Sequence, residues 1–186
     1  MASGKGILAA DESDGTAGKR LDMVHLENTP DNRQDFREIL FTAPGIEDYI
    51  SGVIMFDSSI RNQTDSGVPF ADVLIAKGII PGIKVDRGVK DHEGFKGEVL
   101  TQGLDDLDQR LKEYYELGAR FAKWRMVVTI DGDETPTYET VKYNALQMTR
   151  YAQLCQAAGI VPIVEPEVIH AGDHSLEKAE LETTRT

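Results

Sequence analysis

Short apolar runs recur along the chain at intervals that leave room for a helix between each pair. The runs are Gly6-Ile7-Leu8-Ala9-Ala10, Gly52-Val53-Ile54-Met55-Phe56, Gly82-Ile83-Lys84-Val85-Asp86, Phe121 to Val128, and Ile160 to Glu165. Each is about the length of a buried strand. The segments between them carry helix signals. Thr29-Pro30-Asp31 offers a cap, a first-turn proline and an acidic residue ahead of Phe36, Ile39 and Leu40. Val68-Pro69 opens a short helix that stops at Gly78. Leu104, Leu107, Leu111 and Tyr114 share one helical face, closed by Gly118, and Val141 to Ala158 forms the longest helix, closed by Gly159. Ser175 caps a last one through Leu176 and Leu181.

Strand and helix thus alternate about five times, which predicts parallel strands in an α/β fold. The first strand is not followed by a G-x-G-x-x-G turn, which weakens a dinucleotide-binding reading. The expected architecture is an incomplete TIM (β/α)8 barrel, about five of eight strand-helix units, in a single domain over residues 1–186. A complete barrel takes about 250 residues. Thr186 is reached without a sixth strand, so closure is not expected from these residues alone. The chain is expected to be the front part of a longer enzyme.

Charged residues sit inside these apolar strands or at their ends. Asp11 and Glu12 end the first; Lys84 and Asp86, Lys123 and Arg125, and Glu165 and Glu167 are each spaced two apart on the third, fourth and fifth. That spacing points both members of a pair to one side of a sheet, and barrel active sites gather at the C-terminal ends of strands. Asp11, Lys84, Lys123, Arg125, Glu165 and Glu167 are therefore expected around one cavity. Ammonium groups among carboxylates suit proton transfer to and from a carbon or hydroxyl. Taken singly, each residue has a plainer reading: Asp11 as a cap, Lys84 as an edge lysine, Trp124 as packing. Met55, Met126 and Met148 read as core. His25, His92, His170 and His174 lack metal-ligand spacing and read as solvated loop residues.

Composition narrows the partners. A net charge of -12 repels phosphate backbones, so no nucleic acid is expected, although lysines and arginines gathered locally still suit a small phosphorylated ligand. No apolar stretch approaches the roughly 18 residues of a membrane span, and no signal peptide is visible. The lone Cys155 favours a reducing compartment. A cytoplasmic protein without membrane contact is expected.

Longer motifs carry a resemblance. Gly4-Lys5-Gly6-Ile7-Leu8-Ala9-Ala10-Asp11-Glu12-Ser13, Glu27-Asn28-Thr29, Gly82-Ile83-Lys84-Val85-Asp86 and Thr101-Gln102-Gly103-Leu104-Asp105 come in order, followed by Gly118 to Arg125 (ending Lys123-Trp124-Arg125) and Val161-Pro162-Ile163-Val164-Glu165-Pro166-Glu167. Together they resemble class I fructose-bisphosphate aldolase over essentially the whole chain. The resemblance implies an eightfold barrel in glycolysis that cleaves fructose 1,6-bisphosphate to dihydroxyacetone phosphate and glyceraldehyde 3-phosphate through a lysine Schiff base, with no metal or other cofactor. It implies that Asp11 handles the C4 hydroxyl, Lys123 lies beside the Schiff base, Glu165 is the general acid/base, and Glu167 tunes the lysines. Ser13, Thr16 and Lys84 resemble one phosphate pocket, Arg20 and Arg33 match positions tied to substrate phosphate, and Arg125 lies near the site. The full-length family member is implied to be a homotetramer.

One departure stands out. The family's Schiff-base lysine lies in a Leu-Leu-Lys-Pro-like motif on the sixth strand, and these residues contain no such motif. Residues 14 to 18 and 56 to 60 also diverge. Isolated, the chain is expected to be inactive as a lyase. The alternatives are a non-catalytic binding or interaction fragment, and a lysine-dependent aldolase for another sugar phosphate.

Overall fold

The apolar runs do become strands. In the computed structural model, which describes residues 2–186, they are β1 (Gly6–Ala10), β2 (Ile50–Met55), β3 (Ile80–Lys84), a short pair β4 (Val89–Asp91) and β5 (Val99–Thr101), then β6 (Phe121–Val128) and β7 (Val161–Val168). Five of them form one sheet in the order β1-β2-β3-β6-β7, and every neighbouring pair is parallel. β4 and β5 form a separate antiparallel hairpin. This is an incomplete β/α barrel, with β1 and β7 as its two edges.

The helices are α1 (Asp14–Asp22), α2 (Pro30–Thr42), α3 (Ile46–Tyr49), α4 (Asp57–Ile60), α5 (Phe70–Ala76), α6 (Leu107–Glu116), α7 (Tyr138–Ala157) and α8 (Leu176–Arg185). The caps expected at Thr29 and Ser175 are in place, their hydroxyls accepting from the Asn32 and Lys178 N–H groups at 3.1 and 3.3 Å. Three differences from the sequence expectation have physical causes. α1 is short and offers only Ala17 and Leu21 as an apolar stripe; the Ser13 cap starts it, and Ala17, Gly18 and Leu21 are its buried residues. The β3 strand closes at Lys84, which puts Asp86 in the loop beyond it. On α2, the core-facing pair is Arg37 and Phe41, while Ile39 is 69% exposed, so the apolar face expected from Phe36, Ile39 and Leu40 was misplaced by about one position.

Alternation along β6 divides the molecule. Trp124, Met126 and Val128 are buried on the outer face, while Lys123, Arg125 and Val127 point inward and are only partly covered. The core holds Phe41, Phe70, Tyr114, Trp124 and Tyr151, all almost fully buried, and each contributes roughly 1.5–3 kcal/mol of burial. Met55, Met126 and Met148 are also buried there. Phe121 needs room on neighbouring strands: a Cβ on Gly82 would stand 2.3 Å from its ring, and one on Gly52 3.1 Å. Packing calls for glycine at Gly82, while at Gly52 a side chain would be tight.

The β7 edge is chemically blunt. Val161 and Ile169 donate their N–H groups to Arg120 and Val128, so the odd-numbered residues face β6 and the even-numbered ones face outward. Two of the four outward positions are Pro162 and Pro166, which have no N–H, so only Val164 and Val168 offer donors on that side. Among the described residues no helix is long and apolar enough to cross a membrane.

Candidate active site

Four inward-facing strand ends meet over one cavity of about 1050 Å³. Asp11 follows β1 directly and is 8% exposed. Lys84 and Lys123 are register partners on β3 and β6. Arg125 and Val127 pair with Glu165 and Glu167 on β7. The shared parity of these positions, together with the parallel register, aims their side chains at the same space.

Lys123 is the hub. Its Nζ lies 3.2 Å from Asp11 Oδ2 and 3.2 Å from Glu165 Oε2. Burial pushes its pKa down, but Asp11 and Glu165 together outweigh that and leave it above the ordinary lysine value. Lys123 is thus an ammonium shared by two carboxylates. Beside it, Arg125 Nε donates to Glu167 Oε2, and this bond, opposed by partial burial, raises the guanidinium's pKa. Lys84 is ion-paired with Asp86 Oδ1, and Asp86 also accepts from the Gly88 and Arg125 N–H groups at 3.2 and 3.3 Å. Asp86 therefore ties the end of β3 to the middle of β6.

Ser13 and Thr16 line the same cavity. Their hydroxyls are 3.1 Å apart, and Ser13 Oγ also accepts from the Thr16 N–H at 3.3 Å. The other two arginines lie elsewhere. Arg20 is exposed in the last turn of α1 and is not among the cavity's lining residues. Arg33 lies 3.5 Å from Asp14 and donates to Asn28 Oδ1 at 2.7 Å. It borders a separate recess of about 100 Å³ together with Arg37 and Ser58.

Part of the cavity wall was invisible in the sequence. Arg61 spans Asp57, four residues back on α4, and Glu113 on α6, while the Tyr114 hydroxyl donates to Asp57 at 2.7 Å. Burial pushes the Asp57 carboxyl up, but Tyr114 and Arg61 bring it below its usual range. The i, i+4 spacing of Asp57 and Arg61 is a readable signal; a pairing 52 residues apart, as between Arg61 and Glu113, is not. The β4–β5 hairpin was also missed. Asn144 of α7 donates to Val99 O at 3.0 Å and accepts from Thr101 N–H at 3.2 Å, and the Thr101 hydroxyl reaches Arg125 O at 2.9 Å. The hairpin thereby braces the strand that carries Lys123.

Two histidines depart from the solvated expectation. His92 is half-buried, stacked on Phe95 with ring centroids 4.2 Å apart and its Nδ1 2.8 Å from Thr140 Oγ1. His174 is half-buried as well. Among the described residues, no cluster of three or more His, Cys, Asp or Glu is arranged to hold a metal ion. The chemistry available is proton exchange through the Asp11–Lys123–Glu165 group, next to cations and hydroxyls suited to a phosphate.

Comparison with known proteins shows the family. A family model described as fructose-bisphosphate aldolase class-I matches residues 1–186. A Xanthomonas campestris protein named "Probable fructose-bisphosphate aldolase class 1" is 54% identical over 177 residues, which cover 95% of this chain and 53% of that protein. Cytosolic fructose-bisphosphate aldolase 5 of Arabidopsis thaliana is 53% identical over 175 residues, covering 94% of this chain and 49% of that one. The fructose-bisphosphate aldolase of Plasmodium falciparum, solved in complex with TRAP and a small-molecule inhibitor, superposes with a TM-score of 0.96 at 46% identity, covering 99% of this chain and 53% of its own. The chain spans about half the length of the relatives it matches.

Proposed function

Because this chain belongs to the class I fructose-bisphosphate aldolase family, we propose that it carries the proton-handling and phosphate-anchoring part of a glycolytic lyase site. The substrate is fructose 1,6-bisphosphate and the products are dihydroxyacetone phosphate and glyceraldehyde 3-phosphate. A retro-aldol step needs a base for the C4 hydroxyl proton, an electron sink for the carbanion, and anchors for two phosphates. In this reading Asp11 takes the hydroxyl proton, Glu165 acts as general acid and base, Lys123 passes charge between them, and Glu167 tunes the pair through Arg125. Ser13, Thr16 and Lys84 hold one phosphate, while Arg20 and Arg33 reach toward phosphate from outside the main cavity. Binding energy spent on remote phosphates positions the reacting carbons.

The single observation that carries the reading is the Lys123 ammonium set 3.2 Å from both Asp11 and Glu165 inside the cavity. Together with the Lys84–Asp86 ion pair, it argues against either strand lysine being the nucleophile. Attack on a carbonyl requires a neutral amine, and Lys123 and Lys84 are both ion-paired to carboxylates. The electron sink belongs to the Leu-Leu-Lys-Pro-like motif, which these residues do not contain. The chain by itself should therefore give no stable adduct when treated with dihydroxyacetone phosphate and borohydride. An adduct mapped to Lys84 or Lys123 by peptide mass spectrometry would overturn this division of labour. The unpaired edges β1 and β7 favour a second reading, a non-catalytic interaction fragment. In the wider proposal the residues form one domain of a cytoplasmic protein whose full-length form is a homotetramer.

A further inference from the structure

Arg37 is misplaced by the ordinary rules of helix patterning. It is one of only two buried residues of α2, at 3% exposure, a position helix patterning usually gives to an apolar side chain. A guanidinium removed from water is costly unless its donors are all engaged. Here Nη1 donates to Glu12 Oε2 at 2.7 Å, Nη2 to the Glu12 backbone oxygen at 2.9 Å, and Nε to Ser59 Oγ at 3.3 Å. Burial lowers its pKa, and the charges of Glu12, Asp11 and Asp14 work against that lowering.

The backbone contact is the informative one. Asp11 is held from one side by β1, whose last residue Ala10 is in register with Met55. On the other side its orientation depends on the Asp11–Glu12–Ser13 turn, which leaves the sheet for α1. The Glu12 carbonyl is the peptide group in that turn that Arg37 grips. We propose that Arg37 is a positioning residue, whose fork, one arm on the Glu12 carbonyl and the other on the Glu12 carboxylate, sets the Asp11 carboxylate against Lys123 through the carbonyl arm. This rests on the aldolase reading only for the role it gives Lys123 between Asp11 and Glu165. Nothing in the Asp11–Lys123 geometry depends on that role.

The test reads the lysine directly and needs no turnover. The folded chain is acetylated with an acetate N-hydroxysuccinimide ester at a fixed mildly alkaline pH, and the rates at Lys123 and Lys84 are followed by peptide mass spectrometry. Lys84 answers to Asp86, so it serves as an internal control. Arg37→Met should raise the Lys123 to Lys84 rate ratio about tenfold, the change expected when an amine loses a close carboxylate. Arg37→Lys should raise it comparably, because a lysine keeps the charge but cannot make the fork. Glu12→Gln keeps the backbone oxygen in place and should change the ratio less than about twofold.

An unchanged ratio in both Arg37 variants overturns the proposal. So does an equal rise at both lysines, which would mark a general opening, or a Glu12→Gln effect as large as that of Arg37→Met. If Arg37→Met fails to fold by circular dichroism, Arg37→Lys carries the test. Loss of fold in both overturns the proposal too, since it would assign Arg37 to the core and not to the turn. Failure of the aldolase reading shows separately, in the borohydride experiment.

Discussion

Replacing Lys123 by methionine isolates the ion cluster, because methionine has similar length and no charge. In the native chain the ammonium contacts Asp11, whose side chain is 10% exposed, and Glu165, whose side chain is 36% exposed. Removing one partner of a buried pair costs about 3–5 kcal/mol, because the other charge is left without compensation. The Asp11 arm falls in that class. The Glu165 arm does not, since solvent reaches it and screens the loss. Methionine also removes the desolvation cost of a largely buried ammonium, which offsets part of the loss. The expected destabilisation at neutral pH is therefore about 2–3 kcal/mol, read as a lower urea midpoint at unchanged slope. The effect has a pH signature. Lys123 has a folded pKa above its ordinary value, so its contribution is complete below the unfolded lysine pKa of about 10.4 and is lost as pH rises through the folded value. The gap between native chain and variant should thus narrow in strongly alkaline buffer. Equal stability near neutrality, or a gap that persists undiminished into alkali, would refute the assignment of this stabilisation to an ion cluster.

Gly82→Ala should destabilise by about 1–3 kcal/mol, the usual cost of overpacking, because its Cβ would stand 2.3 Å from the Phe121 ring; a thermal midpoint equal to that of the native chain would contradict the packing. Cys155 is fully buried, and burial pushes its thiol up to about 12, so a thiol reagent at mildly alkaline pH should modify it only at the rate of unfolding. Rapid modification of the folded chain would show that the thiol is reachable.

What the sequence by itself determined is the alternation of strand and helix and, through it, the direction of the charged side chains. Period-two spacing needs no tertiary information: once Phe121 to Val128 is a strand with Trp124 and Met126 on one face, Lys123 and Arg125 must occupy the other. The parallel order of the sheet follows from the same alternation. The short buried runs were readable because burial on one or both faces leaves a strong apolar signal, and the caps at Thr29 and Ser175 because they act within three residues.

Only the tertiary structure decided which charges meet. That Lys123 lies equally far from Asp11 and Glu165 depends on strands 112 and 42 positions apart in the chain, and no local pattern encodes such a distance. The Arg61–Glu113 bridge, the hairpin braced by Asn144 and the grip of Arg37 on the Glu12 carbonyl have the same character, and so does the position of Arg20 and Arg33 outside the cavity that the other site residues share. The reason is energetic. Apolar patterning is enforced along the chain by burial, residue by residue, whereas an ion pair or a backbone grip stabilises only after packing has brought its members within reach. The first is written in sequence periodicity, and the second exists only once the sheet has curved.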